Sequence, residues 1–89
     1  SFYFSISHSK DYVVVVLSTD EVGVDVEELK KTRDLDYLCR LEVSAKLKDK
    51  IIFSCKEDDL EGINFYDLDL IKKYKLIVGS YKKLDIEVL

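Results

Sequence analysis

Several residue types are rare or missing in this chain, and some of these absences limit what kind of protein it can be. The 89 residues contain no Pro, no Trp, no Met, three Gly and a single His. Because neither Pro nor a low-complexity tract marks an internal linker, residues 1–89 are expected to form one small domain with one modest core. Since translation starts with Met, we expect the sequence to be a fragment, a processed form or the ordered part of a longer protein.

Cysteine and histidine are too few for a structural zinc site. Cys39 and Cys55 do not form a C-x-x-C pair, and the one histidine is His8. Structural zinc takes four ligands at recognisable spacing, so it is not expected here. Two thiols without an apparent partner, in a chain with no signal-like segment, are typical of a reducing compartment. We therefore expect a cytoplasmic location.

Long apolar runs and excess positive charge are also absent. No apolar run approaches the roughly 18 residues that span a bilayer, so no membrane association is expected. The formal net charge of −4 argues against nucleic-acid binding, which needs a basic patch to neutralise phosphates. The middle of the chain, residues 30–56, is nevertheless basic. A solvated helix surface explains this stretch, and a docking face for an acidic partner is the alternative.

Alternating and continuous apolar stretches predict strands in the first and last thirds. Residues 2–7 and 63–69 alternate, whereas residues 12–17 are continuously apolar, which predicts a central strand buried on both faces. Together with the strand around residues 21–27, the first third should contain three consecutive antiparallel strands. Turns are expected at residues 7–11, 18–20 and 72–73, and further strands at residues 74–81 and 84–89.

Helical spacing appears only in the middle. A first helix is predicted by the apolar positions Leu35, Leu38, Leu41 and Ala45, with Thr32 or Asp34 as the N-cap. A second helix is expected at about residues 49–60, with Gly62 ending it. The order of strands, helices and strands predicts an α+β domain that has an antiparallel sheet with helices packed on one side.

Two carboxylates, Asp25 and Glu27, alternate with valines in the third predicted strand. Side chains two residues apart lie on the same face of a strand, roughly 7 Å apart along it. Mg²⁺ commonly takes one or two protein carboxylates, so the pair is a candidate partial metal site. A solvated sheet face has the same pattern and stays an alternative. Gly23 lacks a Cβ, so another strand or a ligand is expected to approach closely there.

The sequence Ser7-His8-Ser9 does not predict a serine hydrolase. Adjacent residues of an extended chain point in opposite directions, so Ser7 and His8 cannot form a nucleophile-base pair with each other. A turn with two hydroxyls, backbone N–H groups and an imidazole suits an anion, particularly phosphate. The alternative is that these groups satisfy only the turn itself.

Three short motifs occur in an order that resembles a known enzyme family. They are F-S-I-S-H-S-K-D-Y at residues 4–12, V-G-V-D-V-E at residues 22–27 and F-S-C-K-E at residues 53–57. This order resembles the C-terminal half of the 4′-phosphopantetheinyl transferases of the surfactin-synthetase-activating type. Their motifs are N-x-S-H-S-G, (I/V)-G-(I/V)-D-(I/V)-E and W-(S/T)-x-K-E-(A/S). The resemblance covers essentially the whole chain and implies half of a phosphopantetheinyl-transferase pseudo-dimer.

The resemblance implies Mg²⁺-dependent transfer of the 4′-phosphopantetheine arm of coenzyme A to a serine of an apo carrier protein. Such holo-acyl-carrier-protein synthase activity serves fatty-acid, polyketide or peptide synthesis. The implied metal ligands are Asp25, Glu27 and Glu57, and Glu57 is also the implied base. Lys56 corresponds to a lysine that contacts a coenzyme A phosphate.

The Ser7-His8 pair corresponds to two further contacts of coenzyme A phosphates. Some positions depart from the family pattern: Ser5 replaces Asn, Lys10 replaces Gly, and Phe53 replaces Trp. The segment between Glu27 and Lys56 is shorter than in the family, and the N-terminal half of the pseudo-dimer is absent. We therefore expect a homo-oligomer or a separate N-terminal half as partner. The alternatives are a degenerate module that binds a carrier protein or partner subunit without turnover, and an unrelated α+β domain.

Overall fold

The computed structural model describes residues 1–30, 34–48 and 60–89. These residues form two antiparallel sheets and one helix, joined by turns and irregular chain. The elements are β1 (Tyr3–Ser9), β2 (Tyr12–Ser18), β3 (Gly23–Glu28), α1 (Leu35–Lys48), β4 (Asn64–Asp67) and β5 (Tyr74–Ser80). Strands β1 and β2 form a hairpin, and the second sheet has the strand order β3-β5-β4. The predicted α+β class with antiparallel pairing is confirmed.

The three-stranded sheet has one apolar face and one face that carries the acids. In the antiparallel register Val24 pairs with Val78, and Asp25 pairs with Ile77. Val24 and Val78 belong to a buried apolar cluster that also contains Val26 and Leu76. Since side chains alternate along a strand, Asp25 and Ile77 point to the other face of the sheet.

Helix α1 covers the face of the sheet that carries Asp25. The helix begins after Asp34, whose Oδ1 accepts a hydrogen bond from the backbone N–H of Tyr37 at 3.2 Å. This contact confirms Asp34 as an N-cap; Thr32 lies outside the described residues. The residues of α1 that pack on Ile77 are spaced four apart: Cys39, Val43 and Leu47. Of the predicted stripe, Leu35, Leu41 and Ala45 are buried as well, and Leu38 is half-buried.

Two glycines let α1 approach the sheet closely. Gly23 and Gly79 are register partners on β3 and β5. A Cβ on Gly23 would lie 2.9 Å from the carbonyl oxygen of Val43. A Cβ on Gly79 would lie 2.5 Å from Cγ1 of the same valine. The close approach predicted at Gly23 is therefore real, but the approaching element is a helix and neither a strand nor a ligand.

The prediction of a fully buried β2 is wrong. Val13, Val15 and Leu17 are 70%, 55% and 70% exposed, whereas Val14 and Val16 pack against the apolar cluster of the sheet. Among the described residues β2 pairs only with β1, and β3 pairs with β5, so the three expected consecutive strands do not form one ladder. A continuous valine run fits one buried face as well as two, because it carries no alternation.

Three other local predictions are corrected or lie outside the described residues. Strand β1 continues through Ser9, and the turn is confined to Lys10 and Asp11, where Lys10 has a φ of 48°. The expected strand at residues 84–89 is not formed; instead Leu84 and Ile86 pack on the sheet as irregular chain. The expected helix at about residues 49–60 lies outside the described residues except for its last position.

The turn predicted at residues 72–73 is confirmed. It precedes β5, and Lys73 has a φ of 69°, in the left-handed region. Among the residues with described structure, no helix is both long and apolar enough to cross a membrane.

Candidate functional site

The carboxyl group of Asp25 lies buried in the covered face of β3, with the residue only 4% exposed. Its Oδ1 accepts a hydrogen bond from the Ser7 hydroxyl at 3.2 Å, whereas its Oδ2 is buried without a hydrogen-bond partner among the described residues. The solvated acidic face considered from the sequence is therefore wrong at Asp25. Helix α1 covers this face and the β1–β2 hairpin lies beside it, which the local pattern does not reveal.

Glu27 lies two residues further along β3, on the same face and half-buried. Burial, followed by the neighbouring Glu27 carboxylate, raises the pKa of Asp25 to about 7. Removal from water disfavours the charged form, and a like charge disfavours it further. The Asp25 carboxyl group therefore holds its proton to a higher pH than an ordinary aspartate, and a bound cation would favour its ionised form.

Strand β1 meets β3 through serine side chains in place of a backbone ladder. The Ser5 hydroxyl accepts a hydrogen bond from the N–H of Val24 at 3.0 Å, and the Ser7 hydroxyl accepts one from the N–H of Val26 at 3.1 Å. Moving from Ser5 to Ser7 along β1 corresponds to moving from Val24 to Val26 along β3. Both steps go toward the C-terminus, so the two strands run parallel. We call this contact the β1–β3 seam.

Lys46, near the end of α1, joins the same two strands from the helix. Its Nζ donates to the carbonyl oxygen of Ile6 at 3.0 Å and to that of Val24 at 2.7 Å. One ammonium group thus satisfies a carbonyl on each side of the seam. Sequence reasoning missed this role, because the only local signal is a lysine in the last helical turn, which ordinarily favours the helix dipole.

Cys39 is a free thiol on the helix above Asp25. Burial, and then the negative charge of Asp25, raise the pKa of the Cys39 thiol far above its usual range. Reactive cysteines are thiolates in electropositive, partly exposed surroundings. Cys39 is therefore a neutral packing residue and not a nucleophile.

The structure brings Ser7, Asp25 and Glu27 together and leaves His8 apart from them. Ser7 is buried at the seam, whereas His8 is exposed on the opposite face of β1, which confirms that the two side chains do not form a pair. Lys56 and Glu57 lie outside the described residues. Within the described ranges no group of three or more His, Cys, Asp or Glu side chains is arranged to hold a metal ion.

The described cations of α1 make contacts within the chain. Arg40 Nε lies 2.8 Å from Asp36 Oδ2, and its guanidinium lies 4.9 Å from the centre of the Phe65 ring. Asp36 is also bonded from β5 by Lys75, which lies 3.1 Å away and pairs with a second carboxylate on β4. In the basic stretch, Arg40 is thus paired with Asp36, and Lys46 is engaged at the seam. These contacts would compete with the docking of an acidic partner.

A cavity of about 480 Å³ lies on the other side of the sheet from Asp25. Its lining includes Val14, Val16, Leu76 and Leu84, whose side chains belong to or pack on the apolar cluster. The cavity is thus separated from the carboxylates by the sheet, and we assign it no part in the candidate site.

Comparison with known proteins leaves the family open. No protein-family model matches the chain, and no curated protein matches it. The class that fold and site define is thus a small α+β domain with a buried carboxylate at a strand seam.

Proposed function

We propose that the chain is a reduced phosphopantetheinyl transferase domain. It transfers the 4′-phosphopantetheine arm of coenzyme A to a serine of an apo acyl or peptidyl carrier protein, in a reducing cytoplasm. The observation that carries the proposal is the meeting of two motifs in space. Ser7, from the first motif, donates a hydrogen bond to Asp25, from the second, and leaves Asp25 Oδ2 without a partner.

The Asp25 and Glu27 carboxylates fit Mg²⁺, which binds hard oxygen ligands and completes its shell with water and substrate phosphates. Burial and the neighbouring Glu27 carboxylate raise the pKa of Asp25, and a bound divalent cation would lower it again. When bound, Mg²⁺ would neutralise charge that develops on the pyrophosphate. Glu57 is the third proposed ligand.

The remaining roles belong to side chains that would touch the substrates. Lys56 is proposed to contact a coenzyme A phosphate, and Glu57 to accept the proton of the attacking serine hydroxyl, directly or through a water. His8 is exposed and lies close to the β1–β2 turn, at the end of the hairpin, and it is proposed to contact a phosphate there. Ser7 can do so only if its hydrogen bond to Asp25 is exchanged.

A second candidate is a module that binds a carrier protein or partner subunit without turnover. For a partner subunit it is favoured by the apolar face of the hairpin that the described residues leave uncovered, on which Val13 and Leu17 are each 70% exposed. Because the resemblance implies half of a pseudo-dimer, both candidates call for a second copy or an N-terminal half as partner.

Intact-mass spectrometry of a panel of apo carrier proteins, after incubation with the chain, coenzyme A and Mg²⁺, tests the proposal. We expect a phosphopantetheine mass increment that disappears with EDTA. Asp25→Asn should abolish the increment, whereas Asp69→Asn, which alters an exposed carboxylate elsewhere, should retain it. Mg²⁺ should also raise the melting temperature of the parent and not that of Asp25→Asn.

Two results would count against the transferase. No increment, beside clear transfer by a control transferase, would favour the binding module. Full activity of Asp25→Asn would remove the proposed metal site.

A further inference from the structure

The outer face of the β1–β2 hairpin is apolar and uncovered by the described residues. Cross-strand pairs on this face are Phe4 with Leu17, Ile6 with Val15 and His8 with Val13. Their apolar members and Phe2, which continues the alternation, are between 49% and 76% exposed. We call these six the hairpin outer face: Phe2, Phe4, Ile6, Val13, Val15 and Leu17.

The size of the hairpin outer face reaches the lower end of what a stable dimer needs. Large apolar side chains carry on the order of 100–200 Å² each, so six at these exposures present roughly 600 Å² of contiguous apolar surface. That is the upper end of the largest patch on ordinary monomers, about 300–600 Å². It is also close to the roughly 800 Å² that each partner contributes to a standard interface.

The charge distribution favours a second copy over other partners. Residues 2–9 and 12–18 contain no Asp, Glu, Lys or Arg, although the whole chain has a net charge of −4. Two copies can therefore meet at this face without like-charge repulsion. Within the hairpin, residues 2–18, an anionic membrane would find only the cation Lys10, which already pairs with Glu28 at 3.1 Å. A strongly charged protein would find no complementary charge on these two strands.

We propose that the hairpin outer face is a homodimer interface. In this dimer the hairpins of two copies stack face to face about a two-fold axis, as the sheets of a sandwich do. Residues of the inner face stay in place, because Ser5 and Ser7 bind β3 and Val14 and Val16 pack on the core. The inference stands on exposure and charge and does not depend on the proposed transferase activity.

Sedimentation equilibrium from micromolar to millimolar concentration tests the dimer. We expect the parent chain to sediment as a dimer that dissociates on dilution. Val15→Lys places a charge at the centre of the face and should raise the dissociation constant at least about tenfold, which is about 1.4 kcal/mol. Leu29→Lys changes a residue of similar exposure, 53% against 55%, outside the hairpin and should leave the constant unchanged.

Circular dichroism shows whether each variant is folded. If Val15→Lys is unfolded, Leu17→Lys takes its place in the test. A parent chain that stays monomeric throughout overturns the proposal. Binding of the dye ANS to that monomer would point to a different partner, and no binding would mean that another part of the chain covers the face. Equal dissociation constants for Val15→Lys and Leu29→Lys would also overturn it.

Discussion

Asp25 is the residue at which stability and the proposed chemistry oppose each other. Its carboxyl group is buried, one oxygen has no hydrogen-bond partner within the described structure, and its pKa is raised to about 7. An isolated buried charge costs free energy unless it is paired. Strongly perturbed carboxyl groups cluster at functional sites, where a ligand supplies the missing partner.

The raised pKa of Asp25 predicts a pH dependence of folding stability. Between about pH 4 and pH 7 the folded state holds a proton that the unfolded state has lost, so the free energy of unfolding falls as pH rises. Well above pH 7 both states are ionised and the fall levels off. Asp25→Asn has no such charge and should be more stable than the parent at pH 8 by about 1–3 kcal/mol.

Urea denaturation of the parent and Asp25→Asn from pH 4 to pH 8 measures this difference. The two stability curves should diverge as pH rises through that window. Asp69→Asn serves as the matched control and should keep the slope of the parent. Parallel curves for the parent and Asp25→Asn would mean that Asp25 titrates normally.

At the scale of elements, the β1–β3 seam holds the hairpin against the three-stranded sheet. Two serine hydroxyls and the Lys46 ammonium satisfy backbone groups that a β-ladder would otherwise pair. An isolated two-stranded hairpin is at best marginally stable in water, so its place depends on these contacts and on Val14 and Val16.

Lys46→Met should lower the free energy of unfolding by about 1–3 kcal/mol, because hydrogen bonds to charged groups contribute about that much and the site is partly exposed. Lys46→Arg should recover part of the loss, since it restores a donor. The control is Lys83→Met, an exposed position after β5. Urea denaturation gives the stabilities, and hydrogen exchange of the Val24 and Val26 amides should quicken in Lys46→Met. Equal stability of the two methionine variants would show that Lys46 does not hold the seam.

At the scale of the whole molecule, the proposed homodimer bears on the proposed transferase activity, because coenzyme A would need a complete cleft. The resemblance implies that this chain supplies half of the cleft, and the hairpin outer face supplies a surface for pairing. Half a cleft makes fewer contacts with the substrate than a complete one. A dimer is therefore the form in which transfer should be fastest.

The transfer rate per chain should fall as the chain is diluted below the dissociation constant of the dimer. Val15→Lys should show the fall at a higher chain concentration than the parent, whereas Leu29→Lys should follow the parent. Mass-spectrometric rates measured across the sedimentation range check this. A rate per chain that stays constant while the dimer dissociates would mean that the monomer is the active form.

Local predictions succeeded where the determining residues lie within a few positions of each other. Asp34 and Tyr37 cap α1 across three residues, the turn at residues 72–73 sits between β4 and β5, and alternation puts Asp25 and Glu27 on one face. The continuous valines of β2 do not say how many faces are buried. Glu57 and Lys56 stay predictions, since they lie outside the described residues.

The sequence by itself determined the α+β class, the positions of most strands, the start of α1 and the shared face of the two acids, because these follow from short-range periodicity and capping. Only the tertiary structure decided that α1 covers those acids, that β2 is exposed on one side, and that side chains join β1 to β3. Those features depend on contacts such as Ser7 with Asp25 and Lys46 with Ile6, which are 18 and 40 positions apart. No local pattern encodes which distant surfaces are buried against each other.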